Sequence, residues 1–190
     1  EGKLKEFKKI LQTYSIELFS AKEMNIDMDK VIEDGESFQD NAIIKARYVY
    51  QALGEKYAVI ADDSGLVLEA YPDLLSVHSA RFMEGEPYSV KNEAILKKYQ
   101  KEKETNRNAH FVTNLAFIQK NGEMHLFEGR IEGKIARERM GESGFGYDPI
   151  FVPKGYKQSF AQMGDMKDQI SHRAQALKAF EDFLSKEYVE

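Results

Sequence analysis

Leu4, Phe7, Leu11 and Tyr14 recur three or four positions apart, which predicts an amphipathic opening helix. Ser15 to Ser20 alternates and predicts a short strand. A polar stretch then carries Asp27, Asp29, Glu33, Asp34 and Glu36 up to Ser37. Ser37 precedes Phe38, Ala42, Ala46, Val49 and Leu53, the pattern of a capped helix with Asp40 in the capping-box position. Tyr57 to Ala61 is a short apolar run, a buried strand entering a loop at Asp62-Asp63-Ser64-Gly65, with a further strand from Leu66 to Tyr71. Ser89 to about Lys101 reads as a surface helix. Ala109–Gln119 and Glu123–Arg130 flank Asn121-Gly122, a strong hairpin signal. Gly141 to Pro149 is glycine-rich, Ile150 to Val152 is a strand, and Ser171 to Lys186 is a capped terminal helix. Helices and strands mix along the whole chain, so the class is α/β or α+β.

Composition narrows the function without naming it. Of 190 residues, 42% are hydrophobic and 31% charged, which excludes collagen, disorder and fibrous repeats. A net charge of −5 argues against a nucleic-acid partner. No apolar run approaches the ~18–20 residues of a membrane span, so no membrane partner is expected. The absence of cysteine removes thiol nucleophiles, zinc–thiolate sites and disulfides, leaving any metal to oxygen ligands or to one of four histidines.

Familiar catalytic patterns fail. Gly129 to Lys134 has the wrong spacing for a phosphate loop, and no paired-histidine metal motif, nucleophile elbow or dinucleotide fingerprint occurs. Four segments can carry chemistry. In Asp62-Asp63-Ser64-Gly65, adjacent carboxylates on extended backbone face opposite ways, so one can hold a metal or accept a proton while the other braces the chain. The plainer reading is an Asx-turn. The Gly141–Pro149 segment offers Phe145 or Tyr147 for stacking on a base, and Pro149 pushes Asp148 toward an extended, presented conformation; the plainer reading is a turn with Phe145 in the core. Asn41 and Lys45, four apart on one helix, are placed to reach a phosphate together. Ser171-His172-Arg173 opens the last helix, where first-turn amides and Arg173 suit an oxygen-rich ligand.

In order, the chain reads K-L-K-E at Lys3, S-F-Q-D-N-A-I-I-K-A at Ser37, A-D-D-S-G-L at Ala61 and H-S-A-R-F at His78. G-F-G-Y-D-P-I-F at Gly144, S-F-A-Q-M at Ser159 and I-S-H-R at Ile170 follow. This series resembles the inosine triphosphate pyrophosphatase family over essentially the whole chain. The resemblance implies one domain over residues 1–190, an elongated α/β fold of two lobes about a long mixed sheet with flanking helices and a cleft for the substrate. It also implies a cytoplasmic homodimer acting on a small-molecule purine nucleoside triphosphate, with Mg²⁺-dependent hydrolysis of ITP, dITP or XTP to monophosphate and pyrophosphate.

The resemblance assigns roles as well. Asp63 is the proton acceptor and a metal ligand, Glu33 a second metal ligand, and Ser64 a substrate contact. Lys3 and Lys45 bind the triphosphate, with Lys45 also counted as catalytic. Phe145, Gly146, Tyr147 and Asp148 hold the nucleotide, and Lys167, His172 and Arg173 read the purine and its 6-oxo group.

Departures from the pattern are Leu75-Ser76 for a Pro-Gly turn, Ser143 for a glycine, Asp40 for glutamate and Gln162 for glutamate. The family's usual opening strand, ending T-x-N, would lie just before Glu1 and is missing from this sequence, so an exposed sheet edge is expected. The alternatives are the related septum-inhibitor-like nucleotide pyrophosphatases and a non-catalytic nucleotide-binding protein on the same fold.

Overall fold

The computed structural model describes residues 2–79 and 81–187. Four strands, β1 (Val59–Leu68), β2 (Asn108–Ile118), β3 (Met124–Ile135) and β4 (Phe151–Pro153), form one sheet in the order β1-β2-β3-β4. Helices α1 (Gly2–Thr13), α2 (Phe38–Ala52), α3 (Tyr88–Lys101), α4 (Lys167–Ile170) and α5 (His172–Glu187) accompany it. β3 and β4 run antiparallel, with Gly133 opposite Pro153 and Ile135 opposite Phe151.

The chain divides into two compact units. Glu1–Asp63, Asn114–Glu128 and Ala176–Glu190 form one; Ser64–Thr113 and Gly129–Gln175 form the other. β2 shows how one strand serves both. It is buried almost throughout, as its inner place in the sheet order requires. Its Ala109 and Phe111 enter the second unit's core with Leu66, Ile95, Tyr99, Phe151 and Phe160. Its Leu115 and Phe117 enter a first-unit core with Phe7, Leu11, Phe180 and Leu184, while Ala116 and Ile118 meet Ala42, Ala46 and Val59. Among the described residues no helix is long and apolar enough to cross a membrane.

Most predicted elements are present. The opening helix, the Ser37-capped helix, the surface helix, the Asn121-Gly122 hairpin and the terminal helix stand close to their expected bounds. Ser37 Oγ accepts from Asp40 N at 3.0 Å and donates to Asp40 Oδ2 at 2.7 Å, so Asp40 holds the cap's hydroxyl, where a capping-box glutamate would hold its backbone amide. Two expectations are overturned. Ser15 to Ser20 is not a strand: Ile16 N returns to Leu11 O, Ser15 has φ 55°, and Ser20 bonds Glu23 through its own side chain and amide. Asp62 to Gly65 is not a loop but the middle of β1. Its turn-forming residues are overridden by sheet pairing, and Ser79 Oγ accepts from Leu66 N and donates to Leu66 O.

Candidate active site

Extended backbone through Asp62-Asp63 sends the two carboxylates to opposite faces of β1. Asp63 meets Lys45 from α2: Lys45 Nζ lies 2.8 Å from Asp63 Oδ1 and 3.3 Å from Glu33 Oε2. Glu33 reaches this point because its segment is pinned, with Gly35 N donating to Asn41 Oδ1 at 2.9 Å. Asn41 is only 3% exposed and serves as a clamp on the acidic segment. It also hydrogen-bonds Asp63. Burial raises the Asp63 carboxyl above its ordinary value, and Glu33 adds to this, although Lys45 and Asn41 pull the other way. Burial works against the Lys45 ammonium too, yet its pairing with Asp63 and Glu33 holds it above the usual lysine value.

Two carboxylates converging on one ammonium are a hard-oxygen donor set of the kind a Mg²⁺ ion takes together with waters and phosphate oxygens. Glu33 and Asp63 therefore fit that ion, with no thiol or imidazole among them. Among the described residues no group of three or more His, Asp or Glu side chains forms a complete cage. Ser64 follows Asp63 on β1 and is half-buried. Lys3 lies in α1, but its side chain is outside the described residues.

The second unit gathers the remaining residues. The Gly144–Asp148 loop folds over its own acid: Asp148 Oδ2 accepts from Phe145 N at 3.0 Å and pairs with Lys167 Nζ at 2.5 Å. A Cβ at Gly144 would stand 2.3 Å from that oxygen, and its φ is +77°, so both space and backbone demand glycine. Asp148 is 3% exposed and begins a 3-10 turn, Asp148–Ile150, so the presented, extended carboxylate expected from Pro149 is not found. Its hydrogen bonds outweigh the local preference before proline.

The two rings of the loop part company. Tyr147 is buried, its hydroxyl donating to Ser79 O at 2.6 Å, whereas Phe145 is 58% exposed. Phe145 is thus not core, against the plainer reading, and Tyr147 is. Cations flank the Phe145 ring, with Lys167 Nζ 4.5 Å and the Arg173 guanidinium 5.4 Å from its centroid. Ser171 caps α5, its Oγ accepting from Ala174 N at 3.1 Å, which fixes the turn carrying His172 and Arg173. His172 stacks on Phe111 at 4.8 Å and 11°, and both His172 and Arg173 are buried. Lys167 is carried by α4, which follows the Ser159–Gln162 turn. There Ser159 N donates to Gln162 Oε1 at 3.0 Å, so the amide closes the capping box as a carboxylate would.

Sequence reasoning missed the supports: Ser79, which braces β1 and receives Tyr147, and Asn92, whose Nδ2 donates to Gly146 O at 3.1 Å. H-S-A-R-F was visible as a motif, but its bracing role needs tertiary contacts; nothing in the sequence marks Asn92.

Comparison with known proteins agrees with the resemblance. The chain is 41% identical over 186 residues to a dITP/XTP pyrophosphatase of Porphyromonas gingivalis, covering 96% of this chain and 92% of that one. It is 40% identical over 183 residues to one of Zymomonas mobilis, covering 94% and 85%. The Ham1 protein of Staphylococcus aureus superposes with a TM-score of 0.89 at 35% identity, over 98% of this chain and 95% of that one. A HAM1 protein from Coxiella burnetii gives 0.90 at 31%, over 98% and 94%. With residues 1–183 matching the family model as well, the chain belongs to the Ham1 family.

Proposed function

We propose that this chain hydrolyses non-standard purine nucleoside triphosphates, ITP, dITP and XTP, to the monophosphate and pyrophosphate in the presence of Mg²⁺. As a member of a family whose curated relatives are named dITP/XTP pyrophosphatase, it is an enzyme of the nucleoside triphosphate pyrophosphatase class. The observation that carries the finer reading is the joining of Asp63 and Glu33 on Lys45.

Asp63 and Glu33 would hold the metal. When bound, Mg²⁺ supplies charge neutralisation to the triphosphate oxygens. Asp63, raised above the ordinary aspartate value by burial, accepts the proton of the attacking water. Lys45 and Lys3 bind phosphate oxygens, and Ser64 contacts the substrate beside them. Such a transfer needs positioning and charge stabilisation more than a covalent nucleophile, which suits a chain without cysteine.

The exposed Phe145 ring stacks on the purine, and Gly146, Tyr147 and Asp148 shape the loop that presents it. Lys167, His172 and Arg173 supply donors for the 6-oxo group. Adenine's amino group would set donor against donor, which is costly where the groups are buried. A small-molecule nucleotide is the partner, as a homodimeric enzyme of the cytoplasmic nucleotide pool would have. Turnover of ITP, dITP, XTP, GTP and ATP with Mg²⁺ tests the reading: the first three should lead by a wide margin, and ATP hydrolysed as well as ITP would contradict it.

A further inference from the structure

Asn92 stands on the second turn of α3, 1% exposed, with its Nδ2 3.1 Å from Gly146 O. A carbonyl partner fixes which end of the amide faces the loop, because only the NH₂ group donates. Asn92 Oδ1 is buried without a hydrogen-bond partner among the described residues. A half-satisfied buried amide is a poor choice for stability alone, since an apolar side chain would avoid the desolvation cost. Its directed contact is with the loop.

That contact has a geometric consequence. Gly146 has φ +65°, and no peptide bond in the described chain is cis. In a planar trans peptide the carbonyl and the following N–H point to opposite sides. Tying Gly146 O to α3 therefore turns the Tyr147 N–H away from α3. Tyr88, one turn earlier on the same helix, closes on the same loop: its ring meets Tyr147 edge to face at 5.2 Å. A Cβ at Gly146 would lie 3.7 Å from the Tyr88 ring.

We propose that Asn92 is a positioning residue for the Phe145–Asp148 loop, and that it sets the affinity for the nucleoside half of the substrate without touching the phosphate half. This rests on the reading of that loop as the base-binding element. Asn92→Asp keeps the shape and removes the donor; Asn92→Ala removes the side chain, and either can be read if the other fails to fold. On the whole chain, the Kd of inosine monophosphate and of inorganic pyrophosphate, each with Mg²⁺, are measured beside kcat and KM for dITP. Loss of one neutral hydrogen bond should weaken inosine monophosphate and raise KM about three- to tenfold. The kcat and the pyrophosphate Kd should stay unchanged, the pattern of lost uniform binding. Equal weakening of both ligands, or no change in either, in a variant that melts like the parent overturns the role of Asn92. A parent chain that binds neither ligand overturns the base-loop reading and the proposal with it.

Discussion

Lys45 and Asp63 form a half-buried ion pair of 2.8 Å between α2 and β1, and Glu33 completes it from a segment that Asn41 holds in place. The arrangement puts a carboxylate whose ionisation is opposed by burial beside the cation that favours it. The ionisation of Asp63 is therefore sensitive to either partner.

Asp63→Asn keeps volume and loses charge. Turnover of dITP should fall at least ~100-fold, the scale of removing a general base, while the far-ultraviolet circular dichroism spectrum stays as it was. Asp62→Asn should cost much less. The reverse ranking would exchange the roles of the two aspartates.

The ionisation of Asp63 can be followed directly. In the metal-free protein its carboxyl should titrate above 3.8, because burial raises it. Lys45 lowers that value, so Lys45→Met should move the midpoint further up. A carboxyl protonated below its pKa cannot take a proton from water, so the acid limb of activity should shift to higher pH in the same variant. Carboxyl-carbon NMR across a pH series reads the midpoint; a downward shift in Lys45→Met would contradict the arrangement.

Phe145 and Tyr147 should separate function from stability. Phe145 is largely exposed, so Phe145→Ala should change stability by no more than ~0.5 kcal/mol while raising KM for dITP several-fold. Tyr147→Phe removes the buried hydroxyl that reaches Ser79 O and should cost ~0.5–1.5 kcal/mol. Thermal melts beside Michaelis kinetics distinguish the two.

Arg173 tests base selection. Its guanidinium lies over the Phe145 ring, so Arg173→Ala should reduce activity on ITP far more than on ATP. One lost hydrogen bond from a charged donor is worth roughly 1.5–3 kcal/mol, about ten- to a hundredfold in relative rate. Equal losses on both substrates would assign Arg173 to phosphate.

The helices after Ser37 and Ser171 were legible because each joins an apolar stripe to a side-chain cap. The hairpin was legible from Asn121-Gly122, which needs only local geometry. Asp62 to Gly65 misled because turn propensity is local, while the pairing that keeps β1 extended comes from residues far along the chain. Asp63 and Lys45 stood out in ordered motifs, whereas Glu33 lay in a polar stretch outside them and was assigned by resemblance alone; the structure brings the three together. Whether Phe145 or Tyr147 faced outward depended on the Ser79 carbonyl, and Asp148 was drawn inward by Lys167. No spacing rule encodes such long-range partners.

The cleavage position is the most direct test of the proposed reaction. Phosphorus-31 NMR of dITP turning over with Mg²⁺ resolves the products without coupling enzymes. The account predicts deoxyinosine monophosphate and pyrophosphate in equal amounts; deoxyinosine diphosphate with orthophosphate would contradict it.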